Sequence, residues 1–213
     1  MASMIIFSGH HRFLKNVMGS WIIQEIRAEY RAKGIKYSYA ELENAAKKAA
    51  PFAYFIDVDD NLFFAPGNLA GKIQENCHKL YGSAPEDIGA LMRCVYESLA
   101  MKYRRNLEIL EKNTGTVFGV INIVGGGSKD ALMCQFTADA CNRPVAAGPQ
   151  EATALGNILV QLVSAGEIES IKEGRKIIAA SYPPVWYEPF NTAKWEEGYK
   201  RYCTLFAQHR TSA

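Results

Sequence analysis

Three consecutive glycines, Gly125, Gly126 and Gly127, stand between a run of β-forming residues (VFGVINIV, 117–124) and a helical pattern that opens at Ser128. Such a turn permits positive φ, lets a ligand approach the backbone, and aims the unpaired N–H groups of a helix start outward. Those N–H groups favour phosphate or another anion. Neither well-known phosphate loop fits. GxxxxGK[ST] does not occur, and GxGxxG would need glycine where Asp130 stands. Asp130 suits the positive end of a helix but repels a close phosphate, so its chemistry is to accept from a ribose hydroxyl or an adenine amine. Read locally, the same turn serves equally as a tight strand-to-helix connection with no ligand.

Other chemistry-bearing residues group less well. Asp57, Asp59 and Asp60 resemble part of a calcium loop, but an EF-hand would need glycine at Leu62 and an acid at Asn68. The four histidines, His10, His11, His78 and His209, form no HxxxH or HExxH, which argues against zinc. The five cysteines are odd in number and make no CxxC, the usage of reduced, buried thiols in a cytoplasmic protein. Glu97 has Arg93 as its i,i+4 partner, a structural pairing rather than a catalytic one. Trp186, Tyr187, Trp195, Tyr199 and Tyr202 lack interleaved basic residues and predict C-terminal packing, not a base-stacking platform.

The elements that must position these residues follow from periodicity and stop signals. Apolar Phe13, Val17, Trp21, Ile22 and Ile26 predict a first helix over residues 12–33, ended by Gly34. Ser38 caps a second helix that Pro51 stops. The segment YFIDVDDNLFFAPGN predicts a short strand and a loop, followed by a helix over 68–81. A long helix covers about 85–112, with Pro85 in its first turn. Residues 117–124 predict a strand buried on both faces. A helix over 128–141 and a second strand over 143–147 come next. A helix over 150–165 places Leu155, Ile158, Leu159 and Leu162 on one face. Helices over 171–181 and 192–208 complete the chain. Strand, glycine turn, helix, strand, helix is α/β grammar, a central sheet flanked by many helices.

The composition agrees. The 213 residues are 48% hydrophobic and 22% charged, enough for one domain or two small ones with their own core. A net charge of +2 argues against a nucleic-acid or anionic-membrane footprint. No apolar run reaches a membrane span, and MASMIIFSG lacks the features of a signal peptide.

Four ordered segments carry a family likeness. The run from Ile123, IVGGGSKDALMCQFTADACNRPVAAGPQEATALGNILVQLVSAGEI, resembles the adenosine motif and following helices of the FGGY carbohydrate kinases. RFLKNVMGSWIIQE (12–25) and FIDVDDNLFFAPGN (55–68) are similar to segments of its L-rhamnulokinase subgroup. IGALMRCVYESLAMKY (88–103) resembles the family's signature helix. The likeness runs from about Arg12 to about Glu188.

This resemblance implies an actin-like, ribonuclease-H-like ATPase fold. Residues 12–213 form the family's C-terminal, nucleotide-binding domain, and residues 1–11 an edge segment. It also implies ATP or ADP as ligand, with Mg²⁺ in the complete enzyme, and phosphoryl transfer to a ketose hydroxyl. The family's nucleotide contacts map to Gly125, Gly126, Gly127, Ser128 and Asp130, and its contacting amides to Asn16 and Gln24. On the predicted first helix these amides lie eight residues apart, close to two turns and so near one face. Asp130 departs from the family's usual Asn, adding a charge and removing a donor. No catalytic or metal residue is expected in this chain, because the sugar site and the general base belong to the family's N-terminal domain. The chain alone is expected to turn over no sugar. Two alternatives stand beside this one. One is a non-catalytic module that self-associates through an exposed interdomain face. The other is a domain of a fuculose, xylulose or glycerol kinase.

Overall fold

The computed structural model describes residues 2–5 and 11–207. His10, His209, most of the 1–11 edge segment and Gln208, the predicted end of the last helix, lie outside the described residues. The chain forms two compact units, residues 1–117 with 193–213, and residues 118–192.

The first unit is helical apart from one hairpin. Strands β1 (Ala2–Ile5) and β2 (His11–Leu14) pair antiparallel, with Ser3 opposite Phe13. This corrects the predicted first helix. Residues 12–14 belong to β2, and helix α1 begins only at Trp21 (Trp21–Ala32). The apolar spacing of Phe13, Val17 and Trp21 fits a helix, but pairing with β1 takes the backbone of residues 11–14 first. Helix α2 (Tyr39–Lys48) opens on a capping box, in which Glu41 N–H donates to Ser38 Oγ and Ser38 N–H to Glu41 Oε2.

Segment 54–58 is not the predicted strand. Its backbone groups find side chains in place of a neighbouring strand. Phe55 N–H donates to Tyr81 Oη at 2.8 Å and Ile56 N–H to Ser98 Oγ at 3.0 Å. Phe55, Ile56 and Val58 are fully buried.

Helix α3 (Leu69–Tyr81) starts with N–H groups of Leu69 and Ala70 donating to the Glu29 carboxylate of α1. Helix α4 (Ile88–Thr114) begins three residues after Pro85, because Asp87 caps it by accepting from Ala90 N–H at 2.8 Å. Gly115, at φ +66°, ends it. Its stripe of Leu91, Met92, Val95 and Leu99 packs into a core shared with Ile22, Ile26, Leu42, Ile73 and Tyr202. Gly89 lets α4 pass close to α2, since a Cβ there would lie 2.7 Å from the Ala45 carbonyl oxygen. Helix α8 (Thr192–Leu205) closes this unit with Trp195, Tyr199 and Tyr202 buried, as expected, whereas Trp186 of the same predicted packing group is 54% exposed. The Trp195 ring meets Phe52 edge-on at 5.0 Å.

The second unit holds a three-stranded mixed sheet rather than a large central one. Strand β4 (Val145–Ala147) is central, parallel to β3 (Ile121–Ile123) and antiparallel to β5 (Val185–Tyr187). Only β4 is buried throughout. The predicted two-face burial of 117–124 does not hold, because β3 is an edge strand and Val117 is 75% exposed. Helix α5 (Ala131–Cys141) covers the sheet through Cys134 and Ala138, which pack on Val145 and Ala147. Helices α6 (Ala152–Ser164) and α7 (Ile171–Ser181) pack on each other, Gly174 against Leu159. Of the predicted α6 stripe only Leu159 is buried, and Ile158 is exposed. No helix among the described residues is long and apolar enough to cross a membrane.

Candidate functional site

In the second unit the glycine turn is built by its flanks. After β3, Gly125 adopts φ +74°, a conformation that costs a side-chain-bearing residue free energy. Residues Gly125–Lys129 then make a 3₁₀ turn before α5. Gly125 N–H donates to Pro149 O at 3.0 Å, and Gly148 N–H to Ile123 O at 2.8 Å. These two bonds tie the glycine turn to the Gly148–Pro149 turn that follows β4.

Asp130 takes the capping role expected of Ser128. Ser128 does not cap a helix; its Oγ donates to Gly125 O at 2.7 Å inside the 3₁₀ turn. Asp130 is the cap of α5, accepting from Met133 N–H at 2.9 Å. The helix therefore starts at Ala131 and not at Ser128, with a carboxylate already at its positive end.

Gly126 and Gly127 are exposed. A Cβ built on Gly126 would meet nothing within 4 Å. Its backbone thus faces open space, which a ligand can enter and a larger side chain would fill. Beside it, Ser128, Gly148, Gln150, Glu151, Leu155 and Tyr182 are among the residues lining a cavity of about 330 Å³. That is at the small end of the range for ligand pockets, with a mixed polar and apolar wall.

In the first unit the two amides are placed differently from the expectation. Gln24 is on α1 and exposed. Asn16 is not on the helix; it lies in the connection between β2 and α1, also exposed, so the two do not share a helix face. Asn16 lines a cavity of about 440 Å³ with Lys15, Met18, Asp57, Asp59, Phe64 and Lys102.

That cavity contains a cluster the sequence reading missed. Lys102 Nζ lies 3.0 Å from Asp57 Oδ1 and 2.9 Å from Asp59 Oδ2. The signal was present: Lys102 is in phase with buried Val95 and Leu99 on α4, where a solvated lysine would not stand. Among the described residues no three His, Cys, Asp or Glu side chains are grouped to hold a metal ion.

Glu97 pairs with Arg93, as the i,i+4 spacing predicts. Its Oε1 accepts from Arg93 Nε at 2.6 Å and its Oε2 from Phe52 N–H at 2.7 Å. Burial pushes its carboxyl up to about 7, against the opposing pull of Arg93 and the hydrogen bonds.

The model of the C-terminal domain of the FGGY family of carbohydrate kinases matches residues 2–165. A rhamnulokinase of Enterococcus faecalis is 44% identical over 179 residues, 83% of this chain and 36% of that one. A rhamnulokinase of Lactiplantibacillus plantarum is 40% identical over 194 residues, 91% of this chain and 39% of that one. The chain therefore spans well under half the length of these relatives. A crystal structure of Plasmodium falciparum glycerol kinase with ADP superposes at TM-score 0.63 and 13% identity, covering 92% of this chain and 38% of that one. A ligand-bound xylulose kinase from Lactobacillus acidophilus superposes at TM-score 0.60 and 19% identity, covering 91% and 39%. Identities that low speak to fold alone, and the fold they support is this mostly helical domain with a small mixed sheet. Agreement of the family model over most of the sequence, of relatives near 40% identity and of the backbone leads to one assignment: the chain belongs to the FGGY family of carbohydrate kinases, as a C-terminal domain.

Proposed function

We propose that this domain binds ATP and ADP for a sugar kinase whose acceptor is L-rhamnulose, and that it carries the nucleotide rather than the sugar chemistry. The observation that carries this reading is Gly126, exposed on a turn pinned from both sides, with vacant space where a side chain would project. The rhamnulokinase relatives supply the choice of sugar.

ATP, when bound, supplies the phosphoryl group to be transferred. The work of this chain is binding and orientation, which dominate catalysis of phosphoryl transfer. Gly125, Gly126 and Gly127 admit the ligand to the backbone, and Ser128 with the neighbouring cavity wall takes its nucleoside end. Asn16 and Gln24 contact the nucleotide through amides that both donate and accept. Asp130 contributes an acceptor but also a negative charge, which weakens binding of a phosphate-bearing ligand. No residue here is assigned as general base. Mg²⁺ belongs to the complete enzyme in this reading, and no step is assigned to it in this chain.

Calorimetric titration with ADP tests the reading. The wild-type chain gives a saturable heat. Gly126→Val abolishes it while leaving the melting temperature close to that of the wild type, because a Cβ at this position meets no protein atom within 4 Å. No heat with millimolar ADP, or equal heats from both proteins, refutes the assignment. The isolated chain phosphorylates no L-rhamnulose.

A second reading is a self-associating module, favoured by the exposure of Val185, Trp186 and Phe190 around β5. Sedimentation separates the two. A monomer stabilised by ADP supports nucleotide binding, and an oligomer indifferent to ADP supports association.

A further inference from the structure

The cavity around Asn16 has an ionic floor. Lys102, on the buried stripe of α4, holds Asp57 and Asp59 together, with the three side chains 9%, 5% and 21% exposed. Asp59 is fixed twice more, its own N–H donating to Asp57 Oδ1 at 3.2 Å and its Oδ1 accepting from Met18 N–H at 3.3 Å. Met18 lies two residues beyond Asn16, in the connection of residues 15–20 that belongs to neither β2 nor α1. A charged acceptor inside a largely dry cluster is a stronger anchor for an N–H than water or a neutral group. The long helix α4 is thus linked to the irregular segment that carries Asn16 through Lys102, then Asp59, then Met18.

We infer that Asp59, held by Lys102, is a positioning residue: it fixes residues 15–20 and thereby sets where Asn16 presents its amide. The inference rests on the proposed nucleotide contact of Asn16 and adds the device that makes that contact reproducible. Asp59 itself touches no ligand in this account. Its negative charge is spent on Lys102, and its second oxygen on the Met18 N–H.

The test uses the full chain and three variants, Asp59→Ala, Asp59→Asn and Asn16→Ala. Amide hydrogen exchange reads the anchor directly. Asp59→Ala accelerates exchange at Met18 by about tenfold or more, the size expected for losing a hydrogen bond to a charged group. Asp59→Asn keeps an acceptor there and restores most of the protection. ADP titration reads the consequence. Asp59→Ala weakens ADP binding by about tenfold, and in the Asn16→Ala background it has no further effect, because the two substitutions remove one contact. Unchanged exchange at Met18 in Asp59→Ala overturns the inference. So does an Asp59→Ala effect on ADP affinity that persists undiminished without the Asn16 side chain, since that marks a general loss of stability. Failure of the wild-type chain to bind ADP overturns the nucleotide reading alone, and the exchange result then decides whether Asp59 positions the segment.

Discussion

Glu97 makes the stability of the first unit respond to pH in a direction opposite to that of most salt-bridged carboxylates, and replacing it by Gln removes that response. Glu97 is fully buried and its carboxyl is raised to about 7, burial outweighing the attraction of Arg93 and the bonds from Arg93 and Phe52. In the unfolded chain the same group titrates near 4.3. Between those two values the folded state binds the proton more tightly than the unfolded state. The stabilisation from Glu97 is thus fully present at low pH and lost as pH rises through about 7. At about 1.4 kcal/mol per pH unit, a window of two to three units amounts to about 3 kcal/mol. Glutamine keeps an acceptor for Phe52 N–H and carries no charge at any pH, so it escapes this loss. The assay is urea unfolding of both proteins at pH 5, 6, 7 and 8, taking the difference so that all other titrations cancel. Glu97→Gln is destabilised relative to the wild type at pH 5, where Arg93 loses a close partner. The gap closes by about 3 kcal/mol by pH 8. A difference that stays flat with pH, or one that widens, refutes the reasoning. Either result would mean that Arg93 keeps the carboxylate ionised throughout.

Gly89→Ala drives a methyl group to 2.7 Å from the Ala45 carbonyl. Thermal unfolding then shows a loss of about 1–3 kcal/mol, the usual range for overpacking. Asp130→Ala removes the cap on Met133 N–H and costs about 1 kcal/mol in urea unfolding, whereas Asp130→Asn keeps the cap and costs little. The same Asp130→Asn variant tightens ADP binding in calorimetry by removing a negative charge from the start of α5; equal or weaker affinity counts against the placement of phosphate there.

The elements marked by local chemistry were legible in the sequence. Ser38 announced the start of α2 and Pro51 the stop beyond it, and Gly34 the end of α1. The elements set by distant partners were not. Residues 11–14 carry apolar spacing that suits a helix, and only the pairing with residues 2–5 makes them a strand. Strand β5 is three residues long behind two prolines, too short to show alternation. Segment 54–58 has the composition of a strand but finds hydroxyl partners on α3 and α4. In the candidate site the glycine turn stood out because composition alone dictates it. The ion cluster did not, because packing alone brings Lys102 to Asp57, 45 positions earlier in the chain, and to Asp59 beside it. Asn16 and Gln24 were expected from the family resemblance, and the shared helix face expected of them depended on a helix start that β2 displaces.

The way Phe55 and Ile56 are held has a consequence for how this family domain tolerates change. A strand shares its backbone bonds along a ladder, and a neighbour can shift by a register step and still satisfy most of them. Here each buried amide answers to one named hydroxyl, Tyr81 or Ser98, on a different helix. That arrangement behaves like a keyed socket. It admits one alignment of residues 54–58, carries Asp57 and Asp59 to their places as a by-product, and has no neighbouring alignment in which to settle.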